Sequence, residues 1–177
     1  LFFSYSTRKK IPILTIYENE ISNCFSHLFS DSLFNFNINH INQIEYEKIS
    51  EYSLIILDHL SDITGTLTSK LEKHIQAGNS LFVFPNKQLD TESYYKFCEK
   101  LNIDFIYDWK ESEEKVEMIN YQHPIFKSVF NKKATNINLP STKGSFLIRK
   151  NLQSKRRDIL NFIDKSPFLS EYIYKKG

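Results

Sequence analysis

Four glycines, Gly65, Gly78, Gly144 and Gly177, are all that the 177-residue chain contains, too few and too scattered to build a phosphate-cradling loop or a tight nucleophile turn. No G-x-G-x-x-G, Walker A, G-x-S-x-G or G-x-C-x-G pattern occurs. A phosphate-bearing cofactor is therefore not expected, and nothing else in the sequence calls for a cofactor. Cysteine is as scarce. Cys24 and Cys98 stand far apart, with no C-x-x-C and no Cys/His ligand spacing, which excludes a disulfide framework and argues against zinc. The five histidines, His27, His40, His59, His74 and His123, show no H-E-x-x-H or other metal spacing. No metal is expected. Long apolar runs are missing too: no uncharged stretch approaches the roughly 18 residues of a membrane-spanning helix, and no secretory signal pattern opens the chain. The sequence predicts a soluble domain.

What the chain does have is 41% hydrophobic, 15% aromatic and 25% charged residues, a composition that excludes disordered and collagenous classes. The length fits one domain over residues 1–177. The first residue is Leu1 rather than an initiator methionine, and the chain stops just after Tyr172-Ile173-Tyr174-Lys175-Lys176, where a further strand would be natural. A piece of a longer protein is the expectation.

Hydrophobic patterning alternates between two periods. Ile11 to Tyr17 is a short, β-branched, nearly continuous apolar run of the kind buried on both faces of a parallel sheet. Ile21, Cys24, Phe25, Leu28 and Phe29 follow at helical spacing. Phe34, Phe36 and Ile38 then alternate with Asn35, Asn37 and Asn39, which predicts a half-exposed strand near a sheet edge. Leu54 to Leu57 is a second buried run. A helix carrying Leu67, Leu71 and Ile75 is expected to end at Gly78 as its left-handed C′ residue, before the strand Leu81 to Phe84. Asp90 can cap a helix bearing Tyr94, Phe97, Cys98 and Leu101, followed by a short strand from Ile103 to Tyr107. Strand–helix alternation of this kind predicts a mainly parallel sheet covered by helices on both faces. Beyond Trp109 the rhythm breaks into short extended candidates, Val116–Ile119, Ile137–Leu139, Phe146–Arg149 and Ile159–Ile163, with a helical turn after Pro124. These read as β additions at the C-terminus of one layered domain without an independent second core.

Charge is uneven. Nine bases and no acid lie between Lys127 and Arg157 (Lys127, Lys132, Lys133, Lys143, Arg149, Lys150, Lys155, Arg156 and Arg157), leaving 14 bases against 21 acids elsewhere. Such a stretch can meet a phosphate backbone or anionic lipid. No nucleic-acid-binding motif accompanies it, and solvated loops offset by the acids of Asp104 to Glu117 are the preferred reading.

In an open parallel sheet, ligands sit beyond the carboxyl ends of the strands. Three loops qualify: Glu18-Asn19-Glu20, Asp58-His59 and Asn86-Lys87. The candidate ligand-binding residues are therefore Glu18, Asn19, Asp58, His59, Asn86 and Lys87, which together can hold a polar ligand or do acid–base work. The plainer alternative is that Glu18, Asn19, Glu20 and Asp58 cap neighbouring segments, while His59 and Lys87 are ordinary loop residues. Cys24 and Cys98 both fall on apolar helical stripes, where buried, structural thiols are expected. No catalytic nucleophile emerges.

The segments Ile13-Leu14-Thr15-Ile16-Tyr17-Glu18-Asn19-Glu20, Tyr52-Ser53-Leu54-Ile55-Ile56-Leu57-Asp58, Ala77-Gly78-Asn79-Ser80-Leu81-Phe82-Val83-Phe84-Pro85 and His123-Pro124-Ile125-Phe126 together resemble the class I glutamine amidotransferase-like fold. More narrowly, the chain is similar to the domain found in membrane-anchored proteins with an aerotolerance-regulator (Bat-type) N-terminal segment. The resemblance implies a three-layer flavodoxin-like sandwich and a parent protein with membrane spans outside this chain. It also locates a departure. Active amidotransferases carry a Gly-x-Cys-x-Gly elbow after the strand corresponding to Ser80–Phe84, whereas Pro85-Asn86-Lys87 stands here, and no thioester forms without a thiolate. The expectation is a non-catalytic module that senses a small molecule or binds a protein partner, on an unspecified side of the membrane. A hydrolase-type enzyme using Glu18, Asp58 and His59 at the sheet edge is the alternative.

Overall fold

The computed structural model describes residues 9–126 and 137–175. These fall into two compact units, one through Ser93 and joined by Lys175, the other from Tyr94 to Tyr174.

The first unit is a parallel sheet with helical connections. Its strands are β1 (Ile11–Tyr17), β2 (Phe34–His40), β3 (Leu54–Leu60) and β4 (Ser80–Pro85), in the spatial order β2-β1-β3-β4. β1 and β3 are central, as their continuous apolar runs require: Ile13, Leu14, Ile16, Ile55, Ile56 and Leu57 are at most 2% exposed. β2 lies at the edge that its Asn-interleaved alternation predicts. Its apolar face holds Phe34 and Phe36 against Phe29, with ring centroids 5.2 and 5.4 Å apart. Phe29 follows α1 (Asn23–Leu28), whose Phe25 joins Ile13 and Ile56 in a cluster flanked by Phe82 and Phe84.

α1 is shorter than the apolar stripe suggests. It spans six residues and buries only Phe25, so Ile21 and Leu28 stay exposed at 39% and 66%. Cys24, expected to be buried on that stripe, is exposed as well. One and a half turns are too few to lay a whole stripe onto a sheet. α2 (Gly65–Gln76) ends as read, with Gly78 at φ 94° and its N–H donating to Ile75 O at 2.9 Å, but it starts at Gly65, ahead of the Thr66 or Ser69 that the sequence offers, because Thr64 Oγ1 accepts from Leu67 N at 3.3 Å. Leu67, Leu71 and Ile75 are buried, and the helix packs beside β4 and the 3-10 turn Tyr46–Glu51.

The second unit begins within α3 (Thr91–Leu101), which is capped as expected by Asp90 Oδ1 accepting from Ser93 N at 2.7 Å. Four strands follow: β5 (Phe105–Ile119), β6 (Ser141–Arg149), β7 (Arg156–Phe162) and β8 (Pro167–Tyr172). They form a wholly antiparallel sheet in the order β6-β5-β7-β8. This corrects the sequence reading in two places. The strand expected from Ile103 begins at Phe105 and runs on through Val116–Ile119 as one 15-residue strand, and that strand founds a second sheet instead of extending the parallel one. Its charged middle, Asp108 to Lys115, resembles a loop because only Val116 is buried along its whole length. Ile137–Leu139, expected to be extended, carries no strand. The turn after Pro124 is present, over Pro124–Phe126.

Candidate functional site

β1 and β3 run side by side, with Tyr17 opposite Asp58 in register. Their carboxyl ends therefore release two loops next to each other. Each loop is fastened by a carboxylate from the other strand's end. Glu18, just beyond β1, accepts through Oε2 from Ser61 N at 2.7 Å and Ser61 Oγ at 2.6 Å. Asp58, on β3, accepts from Ser22 N at 2.8 Å on Oδ2 and from Ser22 Oγ at 2.7 Å on Oδ1. The Asp58 side chain is fully buried. A buried carboxylate needs such donors to replace lost hydration. Glu18 and Asp58 are thus the two halves of a reciprocal loop clamp, and neither acts as a helix cap.

A third group uses Asp58. His59 Nδ1 lies 2.7 Å from Asp58 Oδ1. A carboxylate only accepts, so Nδ1 is the donor in this contact. The residue is held from four directions. Its backbone sits at φ 54°, a region costly for a side chain other than glycine, and the β3–β4 register shifts by a bulge between Asp58 and Leu60. Its carbonyl accepts from Asn86 Nδ2 at 3.0 Å. Its ring stacks on Phe84, with centroids 6.3 Å apart and planes 25° from parallel. Its side chain nonetheless remains 51% exposed. Strain maintained by this many contacts is a reason to suspect function at that position.

Asn86 opens the turn after β4. Its N–H donates to Leu60 O at 3.3 Å, while its Oδ1 accepts from Gln88 N at 2.9 Å, forming an Asx turn. An open cleft of about 430 Å³ lies among these loops, lined by Asn19, Glu20, Ile21, Ser22, His59 and Asn86.

Of the six candidate residues, Asn19, His59 and Asn86 line the cleft, Glu18 and Asp58 brace its loops, and Lys87 is not part of the lining. Ser22 and Ser61 were not singled out in the sequence. A serine before a helix signals an N-cap, but Ser22 makes no side-chain cap bond and spends its hydroxyl on Asp58 instead. The thiols lie apart from this chemistry. Cys98 is buried in α3, and burial pushes its thiol up to about 11. Cys24 is exposed on α1. Among the described residues, no group of three or more His, Cys, Asp or Glu side chains could hold a metal ion. Lys127, Lys132 and Lys133 of the basic stretch lie outside the described residues.

Fold and site define a mixed α/β chain with a polar cleft at the carboxyl edge of a parallel sheet. No protein-family model and no curated protein matches it. Nine chains among the solved structures do. One is the crystal structure of a ThuA-like protein from Bacteroides uniformis, 18% identical, with 98% of this chain and 81% of that one covered at a TM-score of 0.64. The likeness is one of fold.

Proposed function

We propose that the chain is a non-catalytic ligand-binding or protein-interaction module on a glutamine amidotransferase-like, three-layer α/β scaffold, carried by a membrane-anchored parent protein. The observation that carries this reading is the turn after β4. Pro85, Asn86 and Lys87 stand where a thiolate must be presented, and the Asn86 side chain is committed to the His59 carbonyl and the Gln88 amide. Neither cysteine compensates: the Cys98 thiol is buried and held protonated, and Cys24 sits on a different element. The two carboxylates best placed for acid–base work are used to fasten loops. What remains open to a ligand is a set of carboxamide, hydroxyl, carboxylate and imidazole groups, suited to recognising polar atoms. The anchored parent rests on the resemblance of the strand and loop segments. No helix among the described residues is long and apolar enough to cross a membrane; the full-length gene would test whether membrane spans flank the chain.

A hydrolase is the second reading, favoured by the Asp58–His59 pair, in which a buried carboxylate orients a half-exposed imidazole. Against it, the Ser22 hydroxyl donates to Asp58 and so does not present itself to the imidazole as a nucleophile. p-Nitrophenyl acetate separates the two. We expect the chain to hydrolyse it no faster than a His59→Ala variant; turnover that depends on His59 would favour the enzyme.

A further inference from the structure

Leu152 stands at the tip of the turn between β6 and β7, 97% exposed among Asn151, Gln153 and Ser154, the small or polar residues that turns favour. The backbone beneath leaves the leucine no route inward. Asn151 N donates to Asp104 Oδ1 at 3.0 Å, Asn151 Nδ2 to Ile103 O at 3.3 Å, Gln153 N to Asn151 Oδ1 at 3.0 Å and Ser154 N to Asn151 O at 3.1 Å. Ser154 Oγ also donates to Asp104 Oδ1. The fully buried Asp104 is further held by Arg156 at 2.7 Å. A side chain that gains free energy from leaving water is thus fixed in water by a buried carboxylate.

The surroundings of the tip are basic. Lys150 and Lys155 flank it, both exposed and without an ion-pair partner among the described residues. Arg149 is exposed and rests on the stacked rings of Tyr95 and Phe105, 5.9 and 5.1 Å from their centroids. Arg157 is 57% exposed and only 3.9 Å from Glu171. The acids paired to this region, Asp104, Asp158 and Glu171, number three against the five bases Arg149, Lys150, Lys155, Arg156 and Arg157, so the balance around the tip stays positive.

We propose that this turn docks on an anionic lipid bilayer, with Leu152 entering the headgroup region and Lys150 and Lys155 meeting lipid phosphates and carboxylates. Protein interfaces are depleted of lysine at their centres, which disfavours a protein socket for a leucine bracketed by two lysines. Single-stranded nucleic acid is held by exposed aromatic platforms, and an aliphatic tip offers none. At a membrane surface the same trio is complementary, since lysine stems snorkel while their ammonium groups stay among anionic headgroups. One such tip gives weak, reversible attachment. The contact does not rest on an anchored parent, because it is measured on the chain itself.

Co-sedimentation with phosphatidylcholine vesicles, with and without one third phosphatidylserine, tests it. We expect binding only to the phosphatidylserine vesicles, weakening as salt is raised. It should fall about fivefold for each of Lys150→Glu and Lys155→Glu and at least about tenfold for Leu152→Asp, with unchanged circular dichroism. Lys48→Glu, a charge change on the first unit, should have little effect. Equal sedimentation with both vesicles, wild-type binding by Leu152→Asp, or a Lys48→Glu loss as large as that of Lys150→Glu would each overturn the proposal.

Discussion

Gly144 on β6 has no room for a side chain. A Cβ there would lie 2.5 Å from the Trp109 ring and 2.5 Å from the Lys110 carbonyl. Trp109, edge-on to Phe146 at 4.8 Å, uses the bare glycine as its seat. Gly144→Ala should therefore cost about 1–3 kcal/mol through displacement of the indole, read from urea unfolding and from a change in tryptophan fluorescence. His74 on α2 makes a second prediction at this scale. Burial lowers its pKa, with the hydrogen bond to the Ser80 carbonyl at 3.2 Å pulling the other way. The folded state therefore takes up a proton less readily than the unfolded chain. Its contribution to stability is intact above the ordinary histidine pKa of about 6.5 and is lost as pH falls below it. Denaturation midpoints taken between pH 7.5 and 5 should decline, and His74→Gln should flatten that slope.

Elements in this chain are held in place by buried carboxylates. Asp104 is the clearest case, since it gathers the backbone of Asn151, the hydroxyl of Ser154 and the guanidinium of Arg156 around one side chain. Asp104→Ala would leave Arg156 to Asp158 alone, take the acceptor from the Asn151 amide and the Ser154 hydroxyl, and free the β6–β7 turn, at about 1–3 kcal/mol. Faster trypsin cleavage at Lys150 or Lys155 should accompany the loss. The buried Asp58 and the half-buried Glu18 do the same for the loops after β1 and β3.

None of these roles is legible in the sequence, because each partner lies more than 30 residues away. Where the signal is local, the sequence serves well. Gly78 ends α2, Asp90 caps α3, and the interleaved asparagines put β2 at an edge. β5 defeats it for a physical reason. Bulges between Ile106 and Asp108 and between Glu111 and Glu114 shift the parity of the side chains, so no single period of two survives across the strand. α1 fails differently, since periodicity reports a stripe but not whether enough helix exists to bury it.

At the scale of the molecule, the parallel pairing of the first unit's strands is readable as alternation, whereas their order β2-β1-β3-β4 and the antiparallel second sheet are not. The position of the site was readable too, since the carboxyl edge of a parallel sheet is fixed by topology. Its working parts were only half visible. Asn19, His59 and Asn86 follow from being on the right loops, but the positive φ of His59 and its anchoring by Asn86 depend on a bulge that composition does not announce.

The account stands on a turn after β4 that offers no sulfur. Ammonia release from glutamine tests this most directly. The wild-type chain should release ammonia at the rate of a buffer blank, and Cys24→Ala and Cys98→Ala should not change that rate. Turnover above the blank that disappears on replacing either cysteine would contradict it.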